Sequence, residues 1–125
     1  MATFYRCNVC GKIVTEVEAT AAKLVCCGQE MEELVANTVD AAREKHVPQV
    51  EQDGSKITVQ VGSVKHPMEK EHHISFIALE TDKGLSIKHL KVNSDPVAVF
   101  RIAEDEKIVA VYEYCNIHGL WKYSK

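Results

Sequence analysis

Four cysteines crowded into the first 36 residues, Cys7, Cys10, Cys26 and Cys27, constrain this chain more than any other feature of its sequence. The segment around them has too few large apolar side chains to build a core of its own, so it needs a staple to fold. Cys7-Asn8-Val9-Cys10-Gly11 reads as a metal knuckle: two thiolates three residues apart can grip one ion, and Gly11 leaves the backbone free to turn around the sulfurs. Cys26-Cys27-Gly28 is adjacent rather than spaced, which lies outside the usual zinc pattern and should distort a tetrahedron. A vicinal Cys26–Cys27 disulfide is the alternative for this half. Sulfur coordination of this kind suits zinc or iron, and residue chemistry does not separate them.

Redox compartment bears on the choice between ligation and disulfides. Met1 to Cys7 has no apolar signal-peptide core and no stretch approaches membrane-spanning length, so the chain reads as cytoplasmic. Five cysteines in a reducing compartment, an odd count besides, point to metal ligation. A net charge of -3 without a basic stripe argues against nucleic acid or a membrane surface as partner and leaves small molecules and proteins.

With 125 residues the chain can bury one modest core beside a small stapled appendage. Residues 37–43 are small and polar and suit a linker or a single turn, which places a boundary near Ala36 and predicts units of 1–36 and 37–125. Beyond it Ile57, Val59 and Val61 alternate with Thr58 and Gln60, the pattern of a half-buried strand. Further β-rich runs at 73–80, 85–90, 97–102 and 107–114 are punctuated by Asp53-Gly54, Asp82-Lys83-Gly84 and Glu104-Asp105-Glu106. Hairpins in series predict a mainly β chain whose larger unit is an antiparallel sandwich of immunoglobulin-like scale, with strand order left open.

A second ligand set lies in that larger unit. Cys115-Asn116-Ile117-His118-Gly119 puts a thiolate and an imidazole three residues apart where a strand gives way to a loop. His66, the pair His72-His73 and His46 supply more imidazoles near predicted loops. His72 and His73 point to opposite faces of an extended chain, so one of the two serves a given ion, and periodicity leaves open which. His89, inside a predicted strand, reads as a bystander, and Met68 and Trp121 read as core residues. Several imidazoles with one thiolate favour redox chemistry over a structural role, because the thiolate pushes electron density toward a bound oxygen species.

Taken together, Cys7-x-x-Cys10, Cys26-Cys27, Glu44-Lys45-His46-Val47-Pro48, His66-Pro67-Met68, His72 and the run from Cys115 to Trp121 resemble the desulfoferrodoxins, the two-iron class of superoxide reductases, over the whole chain. The resemblance implies a desulforedoxin-like unit with one non-haem iron on Cys7, Cys10, Cys26 and Cys27. It implies a second, catalytic iron with His46, His66, His72 and His118 equatorial and Cys115 axial. It selects His72 over His73, although the family usually has an aromatic residue where this chain has His73. It further implies Lys45 as the cation that attracts superoxide, Glu44 as a carboxylate that closes on the open position, a rubredoxin-like electron donor and a homodimer. A shallow, solvent-accessible iron is expected, since protonation must release peroxide. The competing readings are an electron carrier that binds no substrate and a zinc-bearing interaction module.

Overall fold

The computed structural model describes residues 1–125, which divide into two compact units, Met1–Val35 and Ala36–Lys125. In the first unit β1 (Phe4–Arg6) pairs antiparallel with β2 (Ile13–Thr15). Between β2 and the close of the unit lies a two-rung hairpin of β3 (Val25–Cys26) and β4 (Gln29–Glu30), whose turn is Cys27-Gly28. The last strand, β5 (Glu32–Glu33), returns to the free edge of β1. Only Phe4, Cys7 and Met31 are buried here. Three side chains do not offset the entropy of ordering 35 residues, at roughly 1–2 kcal/mol each, so a cross-link through the cysteines is what the small unit requires.

The second unit begins with a single helical turn, α1 (Arg43–His46), followed by β6 (Pro48–Asp53), β7 (Lys56–Val61), β8 (Ile74–Thr81), β9 (Leu85–His89), β10 (Val97–Arg101), β11 (Ile108–Cys115) and β12 (Gly119–Ser124). One sheet has the order β10-β7-β6 and the other β12-β11-β8-β9, every pair antiparallel. This is a sandwich of three and four strands, in which β9 stays beside β8 instead of crossing to β10. Ile57, Val59 and Val61 are wholly inaccessible and face Ile74, Ile77 and Leu79 of β8, with Phe100, Ile108 and Val111 completing the cluster. Each such side chain stabilises the fold by about 1.5–3 kcal/mol on burial.

Two strands escape a reading by periodicity. β6 (Pro-Gln-Val-Glu-Gln-Asp) is an edge strand with only Pro48 buried, so it has no apolar alternation to detect. β12 follows Cys115 after a three-residue turn that closes on Gly119 at φ 79°, a left-handed conformation suited to glycine. The segment expected as a linker or a single turn is tied to β12 at its first residue: Asn37 N–H donates to the Leu120 carbonyl at 3.1 Å, and its side chain bonds both the N–H and the carbonyl of Lys122.

Glu113 is an exception to the apolar core. It lies on β11 between Ile77 and Trp121, is 0% exposed, and neither carboxylate oxygen has a hydrogen-bond partner. Burial pushes its carboxyl well above the usual range, favouring the neutral form. An unsatisfied buried polar group costs about 1–3 kcal/mol. Glu113→Met, of similar size and apolar, is therefore expected to raise the urea midpoint by a comparable gain. A lower midpoint would mean that the carboxyl contributes to stability and that the packing account is wrong.

Candidate metal centres

In the small unit the knuckle and the hairpin turn bring four sulfurs together. Cys10 and Cys26 Sγ are 3.7 Å apart and Cys26 and Cys27 Sγ 3.9 Å, close to the edge of a sulfur tetrahedron whose centre lies about 2.3 Å from each corner. All four are free thiols, and at 3.9 Å the vicinal pair is not a disulfide. Gly11 N–H donates to the Cys7 carbonyl and Cys7 N–H to that of Lys12, folding the knuckle, with Gly11 at φ 82°. Cys27 itself adopts φ 53°, followed by Gly28 at 75°. This left-handed pair is the backbone device that lets adjacent cysteines face one centre. The backbone N–H groups of Cys10 and Val9 draw the Cys7 thiol down to about 6. Cys26 is pushed up, first by its contacts with Cys7 and Cys10, because neighbouring thiols resist ionising together without a cation between them. Cys10 and Cys27 are exposed, with Val9 and Val25 exposed beside them.

In the sandwich unit, His46 comes from α1, His66 and His72 from the connection between β7 and β8, Cys115 from the end of β11, and His118 from the turn into β12. One donor atom of each lies within 4.8 Å of all the others. The rings follow one another round a closed square: His46 to His66 4.7 Å between centroids, His66 to His72 4.6 Å, His72 to His118 5.2 Å, and His118 to His46 4.8 Å. Cys115, fully buried in the apolar cluster, supplies a fifth donor with its Sγ 3.9 Å from His118 Nδ1.

Tautomers show what the square is for. His46 Nδ1 sits 2.7 Å from the Ala42 carbonyl and His66 Nδ1 2.7 Å from that of Pro67, so each Nδ1 carries the proton and donates it outward. Their Nε2 atoms, 3.2 Å apart, then turn lone pairs on each other, and His118 Nδ1 lies 3.1 Å from the same His46 Nε2. Facing lone pairs repel unless a cation lies between them, and about 3 Å is the separation of two nitrogens at right angles about one ion roughly 2.1 Å away. His72 Nε2 is buried with no partner in the protein. Burial draws His66 down to about 4 and lowers His46 and His72 as well, so all three are neutral ligands at neutral pH. Cys115 is raised by burial, while the N–H groups of His118 and Ile117 pull the other way. The donor set fits a borderline transition metal.

His73 turns away: its Nδ1 lies 3.0 Å from the Glu69 carbonyl. His89 is exposed at the end of β9 and outside the group. Trp121 does more than fill the core. Its indole stacks on His46 at 4.9 Å, and its N–H donates to the His118 carbonyl at 3.1 Å, so one side chain orients two ligands. Its place three residues after His118 was the available signal. Glu44 and Lys45 are exposed on the same turn as His46. Their charges reach the rings: Lys45 is among the smaller influences lowering His72, after burial, His118 and His73, and Glu44 among those raising His46. His72 and His118 are half-buried, so the square opens toward solvent on one side while Cys115 closes the other.

Fold and donor sets define a two-centre, mainly β metalloprotein. Its residues 38–124 match desulfoferrodoxin, and residues 2–34 match the desulfoferrodoxin N-terminal domain. The desulfoferrodoxin of Desulfarculus baarsii is 49% identical over 118 residues, covering 94% of this chain and 92% of that protein. A desulfoferrodoxin homolog from Archaeoglobus fulgidus is 47% identical over 118 residues, covering 94% and 93%. The crystal structure of the superoxide reductase from Treponema pallidum superposes with a TM-score of 0.84 at 34% identity, covering 99% of each chain. The chain belongs to the desulfoferrodoxin family.

Proposed function

We propose that this chain is a superoxide reductase that holds two non-haem irons, one on Cys7, Cys10, Cys26 and Cys27 and the other on His46, His66, His72, His118 and Cys115. The observation that carries the reading is the square of four imidazoles with a buried thiol on one side and an orphaned His72 Nε2 aimed inward. Ferrous iron held there would supply one electron to superoxide, which with two protons would become hydrogen peroxide. The chain's own residues supply attraction, a donor field and access. Neutral imidazoles leave the charge of a divalent ion offset only by one thiolate, so the open side is attractive to an anion although the chain is net negative. Lys45, exposed beside His46 and among the charges felt by His72, adds a cation near the site, and Glu44, exposed on the same turn, supplies a carboxylate able to close over it and help displace peroxide.

Re-reduction requires an outside donor, for which a rubredoxin-like carrier is the reading. The four-cysteine unit serves as an electron-transfer or stabilising centre, and the active species is a homodimer. No helix is long and apolar enough to cross a membrane, and five free thiols suit a reducing compartment, so we place the chain in the cytoplasm.

Anaerobic rapid mixing of the reduced, iron-loaded chain with superoxide tests the proposal. Fast oxidation of one iron with peroxide formed and no oxygen evolved is the expected result. Intact iron that does not react would favour the electron-carrier reading. In the same assay Lys45→Ala is expected to slow the second-order step about tenfold at low salt and to weaken its salt dependence, with iron content unchanged. An unaltered low-salt rate would remove Lys45 from the site.

A further inference from the structure

Two of the four imidazoles are fixed through the ring from outside the square, and a third is held by its backbone. His46 is held through Nδ1 by the Ala42 carbonyl, His66 through Nδ1 by the Pro67 carbonyl, and His118 through its backbone carbonyl by Trp121. His72 has no such anchor on its ring, and its direction depends on the backbone of the turn that carries it. That turn is closed by a reciprocal pair between Glu69 and His72, N–H to carbonyl at 2.9 and 3.2 Å. Asn116 joins it to the segment that carries Cys115 and His118.

Asn116 stands between the thiol of Cys115 and the ring of His118, exposed, and 44 residues along the chain from His72. Its Nδ2 donates to the Glu71 carbonyl at 2.9 Å, its Oδ1 accepts from the His73 N–H at 2.9 Å, and its own N–H donates to the His73 carbonyl at 3.2 Å. The three bonds grip the residues on either side of His72. A carboxamide presents a donor and an acceptor in the same plane as a peptide group does. Asn116 thus continues the β8–β11 ladder beyond the irregularity between Tyr114 and Cys115, where regular pairing ends at Cys115 and Ile74.

We infer that Asn116 is a positioning residue: it aims His72 into the square and couples the thiolate segment to an imidazole whose ring has no outer anchor. The role is specific to asparagine. Aspartate keeps the acceptor for His73 N–H but sets a carboxylate against the Glu71 carbonyl, and alanine loses both side-chain bonds.

The inference rests on reading the square as an ion site, and one experiment separates the two. The full chain, with isotope-labelled histidine, is loaded with cobalt(II), whose paramagnetism shifts the ring resonances of every coordinated imidazole. The four-cysteine group contributes no imidazole, so all shifted histidine signals come from the square. Four shifted sets in the unsubstituted chain are required by the ion-site reading, and their absence would end that reading independently of Asn116. In Asn116→Ala the His72 set is expected to return to the diamagnetic region while the His46, His66 and His118 sets stay shifted. Cobalt affinity of that site should fall about 10–100-fold, the usual consequence of losing an outer partner of a ligand. Asn116→Asp, nearly isosteric and thus insulated from a packing defect, should give an intermediate loss confined to His72. Retention of all four sets at unchanged affinity, or simultaneous loss of all four in the aspartate variant, would overturn the inference.

Discussion

Cys115→Ser should abolish superoxide reduction, and with it the sulfur-to-metal charge-transfer absorption of the histidine-rich site, while the absorption of the four-cysteine site is unaltered. Sulfur at this position is fully buried, part of the apolar cluster with Ile74, Ile77 and Val111, and approached by the N–H groups of Ile117 and His118. Those N–H groups and a divalent ion together can hold the thiol ionised against the opposing effect of burial. A serine hydroxyl ionises far less readily, so the same surroundings leave it neutral, and the site loses both its charge donor and its soft ligand. The backbone device is untouched, because the β11–β12 turn is made by Gly119 and the cross-strand pair of Cys115 with Gly119. Iron binding should therefore weaken without unfolding of the sandwich. Absorption spectra and peroxide yield, measured on the same sample, check the claim. Retained peroxide formation would remove Cys115 from the chemistry.

Ligands were far more legible than what orients them. Cysteine and histidine announce themselves by type, so Cys7 and Cys10, and Cys115 and His118, could be singled out from spacing and His66 from its place near a loop, and alternation was enough for β7 because Ile57, Val59 and Val61 all face one core. Strand β6 gave little such signal, since in this polar edge strand only Pro48 is buried and only Val50 packs against the core cluster. Periodicity could not choose between His72 and His73, because the choice is made by a turn that Asn116 holds from across the sheet. Trp121 was visible only as a large apolar residue. Its contacts to His46 and His118 depend on β12 folding back along β11, a long-range fact that no local pattern contains. Gly62 is the extreme case, a residue without a side chain whose importance lies entirely in what comes close to it.

Gly62→Ala is expected to destabilise the sandwich by roughly 2–5 kcal/mol and to disable the histidine site together with it. Gly62 follows the last residue of β7 at φ 78°, already unfavourable for a side chain. A Cβ placed there would lie 2.5 Å from the Val64 carbonyl oxygen, 2.7 Å from that of Glu44 and 2.7 Å from the carbonyl carbon of Lys45, all backbone atoms that cannot swing aside. The approach is close because this corner clamps α1. Gly62 N–H donates to the Val47 carbonyl at 3.2 Å, while Val64 N–H and Ser63 Oγ–H both reach the Glu44 carbonyl, at 3.0 and 3.3 Å. Helix α1 has one turn and no side-chain cap, so these bonds hold Glu44, Lys45 and His46 in place. A methyl group must push α1 away or displace the connection that carries His66, and either movement opens the square. Gly54→Ala is the matched control: its φ is 61°, but nothing lies within 4 Å of the added carbon, so only backbone strain of about 1 kcal/mol is expected. Urea midpoints and iron content of the two variants decide the matter. Equal losses would mean that the clamp at Gly62 has no role beyond the left-handed turn.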